Sequence, residues 1–143
     1  EIVMIKQDKL NEFQNTENIE IIENADIFIN KLNEMKINYC VVTNTGKKTI
    51  ELFKEKQPML KLIDKWIVRE DYQQPKPNSE CFELAIKKYG NNAKNVIGIE
   101  DSEVGFKALK DVTSLIFMVN NDNIFKNNDC YIFNDYAQLL NLL

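Results

Sequence analysis

Polar residues that could bind a phosphate group and a divalent cation follow three short apolar segments of this chain. They are Thr43 and Asn44 after "YCVV", Lys76 in the loop "REDYQQPKP" after "WIV", and Glu100, Asp101 and Ser102 after "VIGI". A hydroxyl group and backbone N–H groups at a helix start can hold a phosphate, and a lysine adds positive charge. Neighbouring carboxylates supply the oxygen ligands that Mg²⁺ prefers. Taken singly, Thr43 and Asn44 could form a simple turn, Lys76 could be a solvated loop charge, and Glu100 and Asp101 could favour the start of the next helix. Only their joint placement indicates phosphate chemistry.

The pattern of apolar residues predicts strands that alternate with helices. Strands are expected at 39–42, 66–68, 96–99, 114–119 and 131–133, and helices at 24–35, 47–56, 78–89, 102–110 and from 135. The first of these helices has apolar side chains at the spacing of one helix face, with Asn24 placed to cap it. Such alternation is typical of parallel strands that are covered by helices on both faces. Ligands of such sheets bind beyond the carboxyl ends of the strands, so the three polar clusters should converge.

One stretch, "VVTNTGKKTI", has some features of a phosphate-binding P-loop. That motif needs a glycine five residues before its Gly-Lys pair and a serine or threonine just after the lysine, and here these positions hold Val41 and Lys48. Two fixed positions of the motif are therefore missing. We expect Gly46 and Lys47 to begin an ordinary helix instead.

Composition excludes several classes of function. The chain of 143 residues has a net charge of −4 without a basic stripe, which argues against nucleic acid as a partner. Its longest apolar run, "LIFMV", is too short to cross a membrane. The absence of histidine rules out Ser-His-Asp and Cys-His pairs, histidine zinc sites and histidine bases. Catalysis would have to use carboxylates, lysine or hydroxyl groups on a small-molecule substrate.

The three cysteines, Cys40, Cys81 and Cys130, are odd in number and widely separated. Two of them lie inside apolar patterns, so we expect reduced and partly buried thiols rather than disulfides. Reduced thiols are typical of a cytoplasmic protein.

Three segments carry a resemblance to a known family. In order and spacing, "VVTNT", "KPNSECFELAIKKYG" and "VIGIEDSEVGFKAL" resemble the second, third and fourth motifs of the haloacid dehalogenase (HAD) superfamily. They are most similar to its β-phosphoglucomutase and phosphoglycolate phosphatase branch, over roughly residues 20 to 143, and three ordered motifs are far more specific than any one. The resemblance implies a Rossmann-like core, dependence on Mg²⁺, and phosphoryl transfer through a phosphoaspartate.

The resemblance also implies a role for each candidate residue. Thr43 and Asn44 would bind the transferring phosphoryl group, and Lys76 would neutralise its charge and orient the nucleophile. Glu100 and Asp101 would serve the metal. Ser102 would help to fix the loop that carries them.

The first motif of the family, an apolar strand ending in Asp-x-Asp, is not found in the sequence. Two interpretations of the opening segment "EIVMIKQDKLNEF" compete. In the favoured one it is the last helix of a cap domain, because Ile2, Ile5, Lys9 and Phe13 are close to helical spacing. In the other, "IVMI" is the first strand, with Lys6 in the place of the nucleophilic Asp and Asp8 in the place of the general acid and base. Both leave the chain without a nucleophile.

We therefore expect an α/β fold, a HAD-like Rossmannoid three-layer sandwich with a mainly parallel sheet that lacks the first strand and most of the cap. Residues 1–18 would be the end of a cap domain or a connecting helix, and 19–143 the core domain. The expected function is that of a Mg²⁺-dependent phosphohydrolase for a small phosphorylated metabolite, inactive as this chain stands because it lacks the Asp nucleophile. A sugar phosphomutase and a noncatalytic binding relative are the alternatives.

Overall fold

The computed structural model describes residues 2–5, 21–119, 129–141 and 143. Its strands are β1 (Ile2–Ile5), β2 (Asn38–Val42), β3 (Trp66–Ile67), β4 (Val96–Glu100), β5 (Leu115–Val119) and β6 (Tyr131–Phe133). Its α-helices are α1 (Ala25–Glu34), α2 (Lys47–Lys56), α3 (Glu80–Tyr89), α4 (Glu103–Lys110) and α5 (Ala137–Leu140). Strands and helices alternate along most of the chain, as the apolar pattern predicts.

The six strands form one sheet in the order β3-β2-β1-β4-β5-β6, and every neighbouring pair is parallel. Strand β1 lies at the centre, where Ile5 is level with Val41 of β2 and with Ile99 of β4. Because all the strands run in the same direction, their carboxyl ends lie along one edge of the sheet. The residues that follow β2, β3 and β4 are therefore brought to the same edge.

Helices cover both faces of this sheet and bury two separate apolar cores. Along β2 the side chains alternate, so that Tyr39 and Val41 pack in one core, and Cys40 and Val42 in the other. The first core contains buried residues of α1, α2 and α5, and the second contains buried residues of α3 and α4. Burial on both faces explains why the strands are nearly continuous apolar runs. The predicted three-layer α/β architecture is confirmed.

The favoured interpretation of the opening segment is wrong for the residues that the structure describes. Ile2–Ile5 is not the end of a cap helix but the central strand of the core, paired with β2 on one side and β4 on the other. The expectation that the sheet lacks its first strand is therefore also wrong. Periodicity cannot assign a four-residue apolar run to a helix or a strand, whereas pairing on both edges satisfies its backbone groups. Residues 6–20, which include Lys6, Asp8 and the expected domain boundary at 18, lie outside the described residues.

Two local expectations also need correction. Asn24 precedes α1 as predicted, but it has a left-handed backbone with φ 60° and its side chain makes no capping hydrogen bond. Asparagine adopts this region more readily than most residues, so its role here is in the backbone. Sequence reasoning also missed two short 3₁₀ helices, Pro58–Leu62 and Arg69–Asp71.

None of the helices described here is long and apolar enough to cross a bilayer.

The cysteines are thiols, as expected, with Cys40 and Cys81 buried and Cys130 half-buried. Burial raises the pKa of Cys40 to about 12 and the pKa of Cys81 to about 11, although nearby lysines oppose both shifts. Both thiols belong to the core between the sheet and helices α3 and α4. They are packing groups and are not poised to react, because the reactive species is the thiolate.

We predict that Cys130 reacts first with a disulfide reagent such as Ellman's reagent. Cys40 and Cys81 should react only when the protein unfolds, because they are buried and remain protonated near neutral pH. The measurement is thiol release over time, in buffer and in denaturant. In a Cys130→Ser variant the rapid phase should disappear. A rapid phase that persists in the folded Cys130→Ser protein would contradict the assignment.

Candidate phosphate and metal site

The edge of the sheet at the carboxyl ends of its strands gathers the residues singled out in the sequence. Thr43 follows the last residue of β2, and Glu100 is the last residue of β4. These two strands flank β1, so Thr43 and Glu100 lie on either side of its carboxyl end. Lys76 comes from the loop between β3 and α3, which crosses over this edge. The predicted convergence of three strand ends is observed.

A buried ion pair between Lys76 and Glu100 lies at the centre of this cluster. The ammonium group of Lys76 donates a hydrogen bond to Glu100 Oε1 and another to the carbonyl oxygen of Val42, at 3.1 Å. It also lies 4.4 Å from the centre of the Phe82 ring. Neither of the two charged side chains has any exposed surface. Contact with a ring face and two acceptors compensates the ammonium group for its lost hydration.

The second oxygen of Glu100 joins the ion pair to the start of α4. Glu100 Oε2 accepts hydrogen bonds from Ser102 Oγ at 3.2 Å and from the backbone N–H of Asp101 at 3.3 Å. Ser102 Oγ in turn accepts a hydrogen bond from the N–H of Gly105 at 3.2 Å, which caps the helix. A Cβ atom on Gly105 would lie 2.0 Å from Glu100 Oε2. The glycine of "EDSEVG" is thus required to make room for the carboxylate.

The turn after β2 is held by a residue that sequence analysis missed. The hydroxyl group of Tyr72 lies 2.9 Å from the carbonyl oxygen of Thr43 and 2.6 Å from Asn44 Oδ1, so that it can donate to either. Asn44 Oδ1 also accepts from the backbone N–H of Lys76, at 3.4 Å. Thr43 Oγ1 accepts from the N–H of Thr45 at 3.1 Å. Tyr72 lies in a loop without periodicity, so no sequence pattern indicates its contacts.

These contacts connect all the predicted site residues in one network. Its buried members are Thr43, Lys76 and Glu100, and its half-buried members are Asn44, Asp101 and Ser102. A ligand arriving from solvent would therefore meet the half-buried members before the buried ion pair. This order of access follows from the tertiary structure and not from the sequence motifs.

The start of α2 behaves as an ordinary helix start. The helix begins at Lys47, and the Lys47 N–H donates to Glu70 Oε2 at 2.9 Å. A Cβ atom on Gly46 would lie 2.8 Å from Glu70 Oε1. A carboxylate of the protein thus approaches the helix start where a P-loop would hold phosphate, which agrees with rejecting that motif.

Glu100 and Asp101 are the two carboxylates that the family resemblance assigns to a divalent cation. Within the part of the chain that the structure describes, no group of three or more His, Cys, Asp or Glu residues is arranged to hold a metal ion. Mg²⁺ is commonly held by one or two carboxylates together with water and phosphate oxygens, so two neighbouring carboxylates fit it. The Oδ1 atom of Asp101 is buried beside this cluster. Burial, together with the charges of Asp101 and Glu100, raises the pKa of Tyr136.

A family model for haloacid dehalogenase-like hydrolases matches residues 2–117. That range includes the central strand and all three polar clusters. The chain belongs to the haloacid dehalogenase-like hydrolase family. The resemblance of the three motifs to this family is confirmed. No curated protein sequence matches the chain.

Several solved structures share this fold. A candidate β-phosphoglucomutase from Thermotoga maritima matches with a TM-score of 0.70 at 16% identity, over 81% of this chain and 56% of that one. A CbbY mutant from Rhodobacter sphaeroides, solved with xylulose-(1,5)bisphosphate, matches with a TM-score of 0.71 at 17% identity, over 82% of this chain and 55% of that one. This chain thus spans little more than half the length of the chains in these two structures.

A third structure is itself a core domain. The core domain of a candidate phosphoglycolate phosphatase from Streptococcus pneumoniae matches with a TM-score of 0.67 at 12% identity, over 99% of this chain and 93% of that domain. At these identities the likeness establishes the fold alone. The described fold is thus that of the HAD core.

We predict that the Lys76–Glu100 pair stabilises the fold as a unit. Lys76→Met leaves a buried carboxylate without its cation, and Glu100→Gln turns an amide group toward the buried ammonium. Each change should lower the free energy of unfolding by about 3–5 kcal/mol, the usual cost of breaking a buried pair. The Lys76→Met/Glu100→Gln double variant should lose clearly less than the sum, because both charges are removed together. Urea unfolding of the four proteins measures this coupling.

The pair Glu103–Lys107 on α4 is the matched control, since both side chains are more than half exposed. The equivalent Lys107→Met and Glu103→Gln changes should leave the unfolding midpoint nearly unchanged, because solvent screens an exposed pair. Additive losses for Lys76→Met and Glu100→Gln would show that the buried contact does not couple the two residues.

Proposed function

We propose that this chain forms the phosphate-binding core of a Mg²⁺-dependent phosphohydrolase scaffold for a small phosphorylated metabolite. The observation that carries the proposal is the single hydrogen-bond network that joins Thr43, Asn44, Lys76 and Glu100 at adjoining strand ends. The family supports hydrolase-type chemistry at the coarse level. Location in the cytoplasm remains a proposal that rests on the reduced thiols.

Thr43 and Asn44 would supply the hydrogen-bond donors for a phosphoryl group. Thr43 Oγ1 already accepts from the Thr45 N–H, so the hydroxyl proton is the part that remains for a ligand oxygen. Asn44 Oδ1 accepts from Tyr72 and from the N–H of Lys76, which leaves its amide protons for the same purpose. Lys76 is the positively charged member of this network, and the carboxylate of Glu100 balances its charge.

The charge of the cluster favours a divalent cation for anion binding. Lys76 and Glu100 neutralise each other, and Asp101 adds a negative charge, so the three side chains together would repel a phosphate dianion. Glu100 and Asp101 would hold Mg²⁺, which in this chemistry offsets the charge of the phosphoryl oxygens. Phosphate binding should therefore depend strongly on Mg²⁺.

The covalent step that the family resemblance implies needs an aspartate at the end of the first strand. Its carboxylate would form a bond to phosphorus while the bond from phosphorus to the substrate oxygen breaks, and a second acid would protonate the leaving oxygen. In this sequence β1 is followed by Lys6, Gln7 and Asp8. An ammonium group cannot accept the phosphoryl group as a carboxylate does, so the chain as it stands should not form a phosphoaspartate at that position.

The substrate class is proposed from chemistry and from a similar fold. The CbbY mutant structure was solved with a sugar bisphosphate, and its fold matches 82% of this chain. A phosphorylated sugar or a similarly small phosphate ester is therefore the ligand class that we propose. A sugar phosphomutase would use the same donors. The lysine that follows β1 is the feature that would favour the other alternative, a noncatalytic binding relative.

We predict that orthophosphate binding needs Mg²⁺. The Asp101→Ala variant should lose most of its affinity for phosphate, and Mg²⁺ should no longer increase the affinity that is left. Loss of one of two carboxylate ligands should weaken the Mg²⁺-dependent component by about tenfold or more, which corresponds to about 1.4 kcal/mol. Calorimetric titration of phosphate with and without Mg²⁺ measures this effect. Glu103→Ala is the control, since it removes one exposed negative charge only two residues away. Equal behaviour of Asp101→Ala and the wild type would reject the metal assignment.

A second prediction concerns the missing acceptor. The wild-type chain should not hydrolyse p-nitrophenyl phosphate, whereas Lys6→Asp, which provides an aspartate two residues before Asp8, should give measurable Mg²⁺-dependent turnover. The covalent step would then have its carboxylate. The assay is release of p-nitrophenol, with mass spectrometry of an acid-quenched sample to detect the added phosphoryl group.

Lys6→Asn is the matched control, because it removes the same positive charge without supplying a carboxylate. Turnover by both variants would attribute the gain to charge alone. Turnover by the wild type would overturn the proposed inactivity. Binding of phosphate without turnover in any variant would favour the noncatalytic alternative.

A further inference from the structure

We infer that Tyr72 is a positioning residue that orients the carboxamide group of Asn44 so that it presents N–H donors to a phosphoryl ligand. This inference rests on the proposed function, since it concerns the same site. Tyr72 lies outside the three sequence motifs and is not one of the candidate residues that they indicate. The inference rests on the contacts of Asn44, on the state of the Tyr72 hydroxyl and on the loop that carries Tyr72.

The contacts of Asn44 fix which end of its carboxamide faces the protein. One terminal atom of the Asn44 carboxamide lies 3.4 Å from the backbone nitrogen of Lys76. That atom must be the oxygen, because a backbone N–H can only donate a hydrogen bond. The same atom lies 2.6 Å from the hydroxyl group of Tyr72. Rotating the carboxamide by half a turn would put an NH₂ group against the Lys76 N–H. The oxygen is therefore held toward the protein, and the NH₂ group is left for a ligand.

The hydroxyl group of Tyr72 is suited to hold that oxygen. It is buried, and burial holds the pKa of the Tyr72 phenol well above its ordinary value, with the Cys81 thiol as a smaller cause. The hydroxyl therefore keeps its proton across the physiological range and can donate it. Its two possible acceptors, Asn44 Oδ1 at 2.6 Å and the carbonyl oxygen of Thr43 at 2.9 Å, belong to consecutive residues. The single hydroxyl proton can go to only one of them at a time, and the shorter distance favours Asn44.

The loop around Tyr72 is held firmly enough to make it a fixed reference. The guanidinium group of Arg69 donates to the carbonyl oxygens of Tyr72 at 2.7 Å and of Gln73 at 3.1 Å, and it lies 5.2 Å from the centre of the Tyr72 ring. The carboxylate of Glu80 accepts from the N–H groups of Gln73 at 2.9 Å and of Gln74 at 2.7 Å. These side chains replace the regular backbone pairing that the loop lacks. The position of the Tyr72 side chain is therefore fixed before any ligand binds.

An Asn44 held in this way favours ligand atoms that accept hydrogen bonds. Its NH₂ group suits the oxygens of a phosphate and would be poorly matched to an ammonium or amide N–H of a ligand. Tyr72 would contribute to selectivity for anionic oxygen without touching the ligand. Loss of its hydroxyl group would let the carboxamide rotate and would cost affinity through Asn44 alone.

The test compares Tyr72→Phe, Asn44→Ala and the double variant of the full chain, titrated with inorganic phosphate in the presence of Mg²⁺. Tyr72→Phe should weaken phosphate binding about five- to tenfold, which corresponds to roughly 1 kcal/mol. In the Asn44→Ala background the same change should have no further effect, because Tyr72 acts through Asn44. The ¹³C resonance of the Asn44 carboxamide should move upfield in Tyr72→Phe, since its oxygen loses a hydrogen bond.

Tyr39→Phe is a closely matched control. The hydroxyl group of Tyr39 lies 2.9 Å from Asn33 Oδ1 and 3.4 Å from the carbonyl oxygen of Leu62, so it has the same kinds of acceptor. Tyr39 packs in the other core, on the opposite face of the sheet. Tyr39→Phe should lower stability to a similar extent without changing phosphate affinity or the Asn44 resonance. A purely structural role for Tyr72 would make the two variants alike.

The outcomes separate this inference from the proposed function. Absence of phosphate binding by the wild type would overturn the proposed function, and the Asn44 resonance would still decide whether Tyr72 holds the carboxamide. Phosphate binding that is unchanged by Tyr72→Phe, or that weakens equally in the Asn44→Ala background, would overturn the inference. An unmoved Asn44 resonance would overturn it in either case.

Discussion

The arrangement of the site depends on burying a lysine and a glutamate together at the carboxyl edge of a parallel sheet. Neither side chain has exposed surface, so each charge relies on the other and on the polar groups around them. The Val42 carbonyl oxygen and the Phe82 ring complete the surroundings of the ammonium group, and Ser102 and the Asp101 N–H complete those of the carboxylate. This requirement connects β2, the loop before α3, and the start of α4. The same residues therefore determine both the packing and the polar contacts at this edge of the sheet.

Position in the fold and chemical type of residue are separate properties in this chain. Strand β1 occupies the centre of the sheet, between β2 and β4, and so completes the hydrogen bonding of both neighbours. A strand in that place serves the core whichever residue follows it. The sequence after β1 nonetheless begins with a lysine and not with an aspartate. The core of a fold and the residue that follows its central strand can therefore vary independently.

The loop from Val68 to Glu80 shows how an irregular segment can be held without regular pairing. Asp71 accepts from the N–H of Val68 at 2.8 Å, and Arg69 and Glu80 fix the backbone further along. The loop delivers Lys76 to the ion pair and Tyr72 to the turn after β2. Because its backbone groups are satisfied by side chains, its shape depends on particular residues. Positions that a sequence pattern treats as a connection therefore control the site.

The sequence by itself determined the alternation of strands and helices, the three-layer architecture and the identity of the polar clusters. The bounds of α2, Lys47–Lys56, and of β6, Tyr131–Phe133, agree with the apolar pattern because local periodicity and helix stops decide them. The tertiary structure decided that Ile2–Ile5 is a strand, since only pairing with both neighbours distinguishes that run from a helix. It also decided the depth of Lys76 and the part played by Tyr72. Burial and long-range hydrogen bonds are properties of residues that are distant along the chain, and for that reason no local pattern encodes them.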